Sequence, residues 1–209
     1  MPRRCYSVGT ALAVALAAAT NAQSASPRTA DTDWPCQQRL VPRLAAATYW
    51  NGPLSVDLGD WRADSEVGGL VGRLAPRRVS TQQGLAEIAT FAHNLSGDRP
   101  RRLALAFGGL LEETDRQRTS LIEELKEIGR RQRQLADLVA RLATELNSVP
   151  ADAQGEAVAR RIDLQQRYDF TVRNFEEIQR TIRYACETPV ELDARLGAWA
   201  RALQEATSE

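Results

Sequence analysis

Apolar residues recur at helical spacing over most of the chain. The pattern predicts a short helix over 66–74, a second helix that begins after Ser80, and a long third helix over 100–148. The first part of the long helix, residues 103–111, is apolar on every side, which is typical of a helix enclosed by other helices. Together these elements predict an all-α protein with a helical head.

The remainder of the long helix carries a coiled-coil seam, in which apolar residues alternate at steps of four and three. The seam positions are Leu121, Leu125, Ile128, Gln132, Leu135, Val139, Leu142 and Leu146. A second stripe follows, with one step of three where four is expected. Its positions are Val158, Ile162, Gln165, Tyr168, Val172, Phe175, Gln179, Ile182 and Cys186. The two stripes predict a long antiparallel coiled-coil hairpin over about 112–186, in which Leu142 faces Ile162.

A further helix is predicted at the carboxyl end of the chain. Thr188, Pro189 and Glu191 have the spacing of an N-cap, a first helical residue and a capping-box partner. A chain break at Thr188 would let this helix fold back beside the apolar residues 103–111. Its own apolar stripe consists of Leu192, Leu196, Trp199 and Leu203.

An irregular segment rich in tryptophan and proline precedes the helices. Trp34, Trp50 and Trp61 lie in it, and prolines divide it into short pieces. The prolines are Pro35, Pro42, Pro53 and Pro76. We expect this segment to wrap over the helices and bury its tryptophans, because buried indoles usually serve packing. An aromatic cage for a ligand is the alternative interpretation.

The amino-terminal residues have the pattern of an export signal. Arg3 and Arg4 precede an apolar run, and small residues follow it, which predicts a signal peptide over 1–22. The run is about half the length of ~20 residues that a membrane-spanning helix needs. Residues 23–33 are small and polar and are predicted to be a flexible leader, so that 34–209 form a single helical domain.

Charge and composition narrow the possible functions. The chain has 27 basic and 27 acidic side chains, and loss of residues 1–22 would leave 25 against 27, a net charge of −2. That balance gives no general reason to expect a nucleic-acid partner. The basic residues are 26 arginines and Lys126, a ratio typical of a GC-rich bacterial genome. Together with the predicted signal peptide, this makes a periplasmic or secreted location the expected one.

Few residues suit catalysis or metal binding. His93 is the only histidine, which excludes most metal centres and histidine-dependent catalytic groups, and we expect it to be half-buried and hydrogen-bonded. The sequence has no Cys-x-x-Cys motif and no phosphate-binding glycine loop. Cys36 and Cys186 are predicted to form a structural disulfide, with a redox-active pair as the alternative. No cofactor, metal or catalytic residue is predicted.

Charged clusters add two weaker hypotheses. The acidic residues Glu112, Glu113, Asp115, Glu123, Glu124 and Glu127 are interleaved with basic ones, as on a solvated helix face. A basic cluster surrounds the start of the long helix. We interpret it as a solvated face at helix ends, and contact with lipid headgroups is the alternative interpretation. It consists of Arg73, Arg77, Arg78, Arg99, Arg101 and Arg102.

Two classes of function remain open from the sequence. The first is a non-catalytic accessory protein of the bacterial envelope, whose hairpin docks onto another envelope protein, since a long hairpin encloses no pocket. The second is a small-ligand or enzymatic role in a tryptophan-lined pocket of the head. Convergent charges around Trp34, Trp50 or Trp61 would favour the second.

Overall fold

A computed structural model describes residues 31–51 and 60–208, and within these ranges the chain is helical without strands. The predicted signal peptide and residues 23–30 of the predicted leader lie outside the described residues. A single turn of 3-10 helix, η1, and five α-helices make up the fold. Their bounds are Ala46–Thr48 for η1, Ser65–Leu74 for α1, Thr81–Asn94 for α2, Arg99–Ser148 for α3, Glu156–Ala185 for α4 and Glu187–Glu205 for α5.

Side-chain caps define where the first three helices begin. The Asp64 carboxylate accepts hydrogen bonds from the backbone N–H groups of Glu66 and Val67 at the start of α1. Ser80 and Gln83 form the predicted capping box of α2. Asp98 caps α3 in the same way. These helices therefore start where local hydrogen bonding satisfies the free N–H groups of the first turn.

The head has its core around the first part of α3. Leu103, Ala106 and Phe107 are fully buried there, which confirms that residues 103–111 lie inside a bundle. Helices α1 and α5 pack directly on α3, and α2 packs on α1 and α5. Trp50 stacks on Phe107 with the ring centroids 4.9 Å apart, and it is itself buried. The core is therefore closed partly by the irregular segment.

Two glycines permit the close helix contacts of the head. A Cβ atom on Gly84 in α2 would lie 2.2 Å from the Trp199 ring of α5. A Cβ atom on Gly109 in α3 would lie 2.8 Å from Val71 Cγ2 of α1 and 2.9 Å from the Trp61 ring. Neither position has room for a side chain.

The connection between α4 and α5 differs from the prediction. Cys186 keeps helical dihedral angles, with φ −67° and ψ −19°, and α5 already begins at Glu187, so Thr188 does not cap it. Helix α5 nevertheless runs antiparallel along α3, and its Leu196, Trp199 and Leu203 share a core with Leu103 and Phe107, as predicted. Its end reaches the start of α3, where Arg99 Nε donates a hydrogen bond to the Ala206 carbonyl over 3.0 Å.

The part of α3 beyond the head pairs with α4 to form a projecting hairpin, which we name the arm (residues 121–182). The buried cluster near its tip contains Leu142, Val149 and Leu164. On α3 the predicted seam is correct at Leu121, Leu125 and Leu142, which are at most 8% exposed. Arg133 and Arg141 are exposed, as the seam requires.

The predicted seam of α4 is wrong near the tip. Val158 is 41% and Ile162 is 53% exposed, whereas Leu164 is 3% exposed and lies in the cluster with Leu142. Gln165 and Gln179 are exposed as well. The residues that do face α3 follow an unbroken 4-3 repeat with no step missing. They are Leu164, Tyr168, Thr171, Phe175, Ile178 and Ile182.

Residues 31–33, predicted to belong to the flexible leader, lie against α3. Asp31 pairs with Lys126 at 3.0 Å, and Asp33 pairs with Arg130 at 2.9 Å. The Asp33 carbonyl oxygen sits where a Cβ atom on Gly129 would be 2.2 Å away. The packed part of the chain therefore begins at least three residues before Trp34.

Neighbouring glycines of α3 provide a test of the packing in the head. Gly109→Ala should lower the free energy of unfolding by about 1–3 kcal/mol, because the new methyl group overlaps Val71 and Trp61. Gly108→Ala is the matched control, since no atom lies within 4 Å of its Cβ position. It should raise stability by about 0.5–1 kcal/mol through helix propensity. Urea unfolding curves with equal or reversed effects would contradict this packing.

The register of the arm can be tested on α4. Leu164→Ala should cost about 2–5 kcal/mol in a fully enclosed site, and toward the lower end here because the surrounding cluster is small. Ile162→Ala should change stability by no more than about 0.5 kcal/mol, because that side chain is mostly in water. Thermal denaturation followed by circular dichroism measures both. A larger loss for Ile162→Ala would favour the register predicted from the sequence.

Candidate interaction surface

The outer face of α4 exposes large apolar side chains from the tip of the arm to the middle of the helix. Val158 is 41%, Ile162 is 53% and Phe170 is 60% exposed. At about 100° per residue, the three project within a sector of about 120°. Leu164 points to the opposite side, into the contact with α3. We call Val158, Ile162 and Phe170 the tip patch.

The tip patch is not needed to hold the arm together. The buried cluster on the inner side of α4 joins the two helices without it. The turn is closed by Arg161, whose Nη1 donates to the Val149 carbonyl oxygen over 2.6 Å at the end of α3. Val149 is itself 8% exposed. The exposed apolar side chains are therefore surplus to the internal packing of the arm.

Charges around the tip patch are balanced. Arg160 and Arg167 are matched by Asp163 and Asp169, and an ion pair of 3.8 Å joins Asp163 to Arg167. Gln165 Nε2 donates to Asp169 Oδ1 over 2.9 Å. Over residues 156–177 four arginines stand against five acidic residues, so the surface is suited to an apolar contact rather than to a polyanion or a strongly charged ligand.

A disulfide holds the base of the arm. Cys36 and Cys186 are bonded, as predicted, and the bond joins the irregular segment to the junction of α4 and α5. Gln38 Nε2 donates to the Cys186 carbonyl over 2.6 Å and reinforces the same junction. An open groove of about 860 Å³ runs beside the disulfide and is lined by two of the predicted seam positions, Gln132 and Gln179.

The three tryptophans of the irregular segment are used in packing and local hydrogen bonds. Trp50 stacks on Phe107, and Trp61 covers Gly109. Trp61 Nε1 also donates to a carboxylate oxygen of Glu112 over 2.9 Å. Trp34 Nε1 donates to the Gln38 carbonyl near the disulfide over 2.7 Å. These contacts account for the indoles without a ligand.

The basic cluster predicted around the start of α3 does not form one patch. Arg102 is drawn into the head, where it pairs with Asp64 and Glu66 at 2.7 and 2.8 Å. The Arg102 guanidinium lowers the pKa of the Asp64 carboxyl below its ordinary value. Arg73 pairs with Glu87 at 2.9 Å. The remaining members are Arg99, which bonds the Ala206 carbonyl, and the exposed Arg77, Arg78 and Arg101.

The acidic residues of α3 are mostly paired with arginine or lysine. Glu112 pairs with Arg62 at 2.8 Å, and the pKa of Glu112 is lowered by that guanidinium and by Trp61. Asp115 pairs with Arg43 at 2.8 Å. Further pairs are Glu113 with Arg116, Glu123 with Lys126, and Glu127 with Arg130.

The described residues hold no group of three or more side chains arranged to bind a metal ion. His93 was expected to be half-buried and is instead exposed, because it lies on the outer side of α2 beside the buried Ala92. In the part of the chain that the structure describes, no helix is both long and apolar enough to cross a membrane.

The buried and half-buried polar groups between the elements were not predicted from the sequence. Tyr49 donates a hydrogen bond to Asp193 of α5, and burial raises the pKa of Tyr49. Arg118 and Arg195 are each 7% exposed. The only signal for Arg195 in the sequence is its position between Leu192 and Leu196 on the apolar stripe of α5.

Comparisons with protein-family models, with curated proteins and with solved structures each found no match to this chain. The surfaces of the molecule are therefore the features that point to a function. Among them, the tip patch is a set of exposed apolar side chains that the fold does not use.

Reduction of the disulfide should destabilise the protein. The bond closes a loop across 150 residues, for which the chain-entropy model gives about 5 kcal/mol as an upper figure. We expect no titratable thiol from Cys36 and Cys186 in protein from its native compartment, and a lower melting temperature after reduction. Cys36→Ser with Cys186→Ser should melt like the reduced protein, with or without reductant. Unchanged melting on reduction would show that the bond does not constrain the unfolded chain.

Proposed function

We propose that the chain is an exported, non-catalytic interaction protein whose arm docks onto another protein of the bacterial envelope. The observation that carries the proposal is the tip patch, which exposes 41–60% of three large apolar side chains on an arm already closed by its own buried cluster. Exposed apolar groups grouped on one face favour association with a partner. A long hairpin is otherwise hard to explain by catalysis.

The chemistry of the tip patch favours a helical partner. Val158 and Ile162 have the i, i+4 spacing by which one helix accepts the apolar stripe of another. The mixed arginines and acidic residues around the patch give no excess of positive charge for steering a nucleic acid. The occupant we expect is an amphipathic helix of another protein, laid along the outer face of α4.

Export is supported by the cysteine chemistry. A structural disulfide persists in oxidising compartments, such as the periplasm or the extracellular space. The signal peptide predicted over 1–22 agrees with such a location, although it lies outside the described residues. The alternative of a ligand pocket lined by tryptophans has less support, because Trp50 and Trp61 are engaged in the packing of the head.

A polar tip patch should abolish docking without unfolding the protein. The test variant combines Val158→Ser, Ile162→Ser and Phe170→Ser, and we expect its melting temperature to stay close to that of the original protein because these side chains are exposed. The matched control changes three exposed residues of α3, namely Gln134→Ser, Ala140→Ser and Asn147→Ser. A photo-crosslinking residue at position 162 identifies the partner in cells, with position 140 as its control.

The outcome is decided by binding to that purified partner. We expect the tip-patch variant to bind at least tenfold more weakly and the α3 control to bind within twofold of the original. Crosslinks at position 162 that join only two copies of this chain would overturn the proposal of a different protein as partner. Equal crosslinking at positions 140 and 162 would overturn the assignment of the surface.

A further inference from the structure

A buried arginine in the head has no anionic partner among the described residues. Arg195 of α5 is 7% exposed, and its guanidinium lies over the Trp199 ring, 4.6 Å from the ring centroid. Its Nη1 donates to the carbonyl oxygens of Pro76, Arg77 and Val79 over 3.0–3.2 Å. One of its nitrogens therefore holds the turn between α1 and α2 against α5.

Among the described residues, only Nη1 of the Arg195 guanidinium has hydrogen-bond partners. Nε is buried and has no hydrogen-bond partner, and within the described part of the chain Nη2 makes no hydrogen bond either. Burial lowers the pKa of Arg195, because the enclosed guanidinium has little contact with water. Glu191 stands one turn earlier on α5 but forms no ion pair with it among the described residues. Buried charges are normally paired, so the site lacks a counter-charge.

The Arg195 side chain forms part of the lining of a groove of about 560 Å³ between α2 and α5. Arg77, Ser80, Thr81, Thr188 and Glu191 line the same groove. The groove is thus lined by two guanidinium groups and one carboxylate, so its net charge is positive.

The start of α2 adds backbone donors to the groove. The Ser80 hydroxyl accepts from the N–H group of Gln83, which leaves the N–H groups of Thr81 and Gln82 as donors of the first turn, and Thr81 is the one of these two residues that lines the groove. The amino end of a 14-residue helix carries a partial positive charge and suits an anion. The groove is therefore lined by three residues that carry N–H donors, namely Thr81 at the helix end, Arg77 and Arg195.

We propose that this groove binds a phosphate group, held by Arg77 and the first turn of α2 and balanced by the buried charge of Arg195. Donors from three separate parts of the chain suit the several oxygens of a tetrahedral anion better than the two oxygens of a carboxylate. A soluble phosphate ester and a lipid headgroup share this chemistry. The site lies in the head, so it is independent of docking through the tip patch.

The test measures binding of glycerol 3-phosphate to the full-length protein by calorimetry and by the amide NMR shifts of Thr81 and Gln82. Because Arg195 also holds the turn, its replacement endangers the fold, and the test variants are Arg77→Gln and Glu191→Gln. We expect Arg77→Gln to weaken binding at least tenfold. Glu191→Gln should strengthen it severalfold by removing the one carboxylate in the groove.

Arg78→Gln is the matched control, because Arg78 is the next residue but lines a different groove. We expect the control to bind within twofold of the original, and the melting temperatures to verify that each variant is folded. Phosphatidylglycerol vesicles, compared with phosphatidylcholine vesicles, distinguish the two sources. Tighter binding to the anionic vesicles than to glycerol 3-phosphate assigns the site to a lipid headgroup, and the reverse assigns it to a soluble ester.

Two results would overturn the phosphate site. The first is the absence of saturable binding to both glycerol 3-phosphate and phosphatidylglycerol vesicles. The second is an equal loss of affinity in Arg77→Gln and Arg78→Gln, since that would show general attraction to a basic surface. The tip-patch variant should keep full phosphate binding, so failure of this proposal and failure of the docking proposal are distinguishable.

Discussion

Helix α3 is 50 residues long, which corresponds to about 75 Å, and α1, α4 and α5 all pack directly along it. An isolated helix cannot bury its own apolar face, so its stability comes from whatever covers it. The apolar surface of α3 is wide in the head, where Leu103 and Phe107 are fully buried, and narrows to a single stripe in the arm. Several elements therefore surround the first part of α3, whereas α4 alone covers the second.

Covalent and ionic contacts concentrate where the head passes into the arm. The Cys36–Cys186 bond ties the irregular segment to the junction of α4 and α5. Just beyond it, Asp31 and Asp33 pair with basic residues on α3, and Gly129 makes room for the Asp33 backbone. Exposed ion pairs contribute little on their own, but here they act together with a disulfide and a close backbone contact. The base of the arm is thereby held on both of its helices.

Exposed apolar groups on α4 and a buried charge in the head depart from the usual pattern of apolar residues inside and charged residues outside. On the outer face of the arm, Phe170 remains mostly in water while Leu164 completes the inner seam. In the head, Arg195 is enclosed among aromatic and carbonyl groups without a carboxylate. Each is unfavourable for an isolated chain, and each becomes favourable when a partner of the right chemistry is bound.

Local signals in the sequence were sufficient for the helices themselves. The capping box of Ser80 and Gln83, the apolar run 103–111 and the seam through Leu121 and Leu142 all have their predicted places. Each depends on neighbours a few residues away along the chain, on hydrogen bonds in one turn or on side chains that share one helix face. Such relations are visible in one dimension.

The tertiary structure decided which of two overlapping stripes on α4 faces α3. Val158 and Ile162 are as apolar as Leu164, so hydrophobicity alone does not distinguish the two stripes. The stripe that packs on α3 in the structure is the one with an unbroken 4-3 repeat through Tyr168 and Ile182. The predicted cap at Thr188 was overridden for a related reason. A cap contributes about 1 kcal/mol, less than burying the apolar stripe of α5 along α3. Burial without a counter-charge, as at Arg195, depends on contacts between distant segments and has no local signature in the sequence.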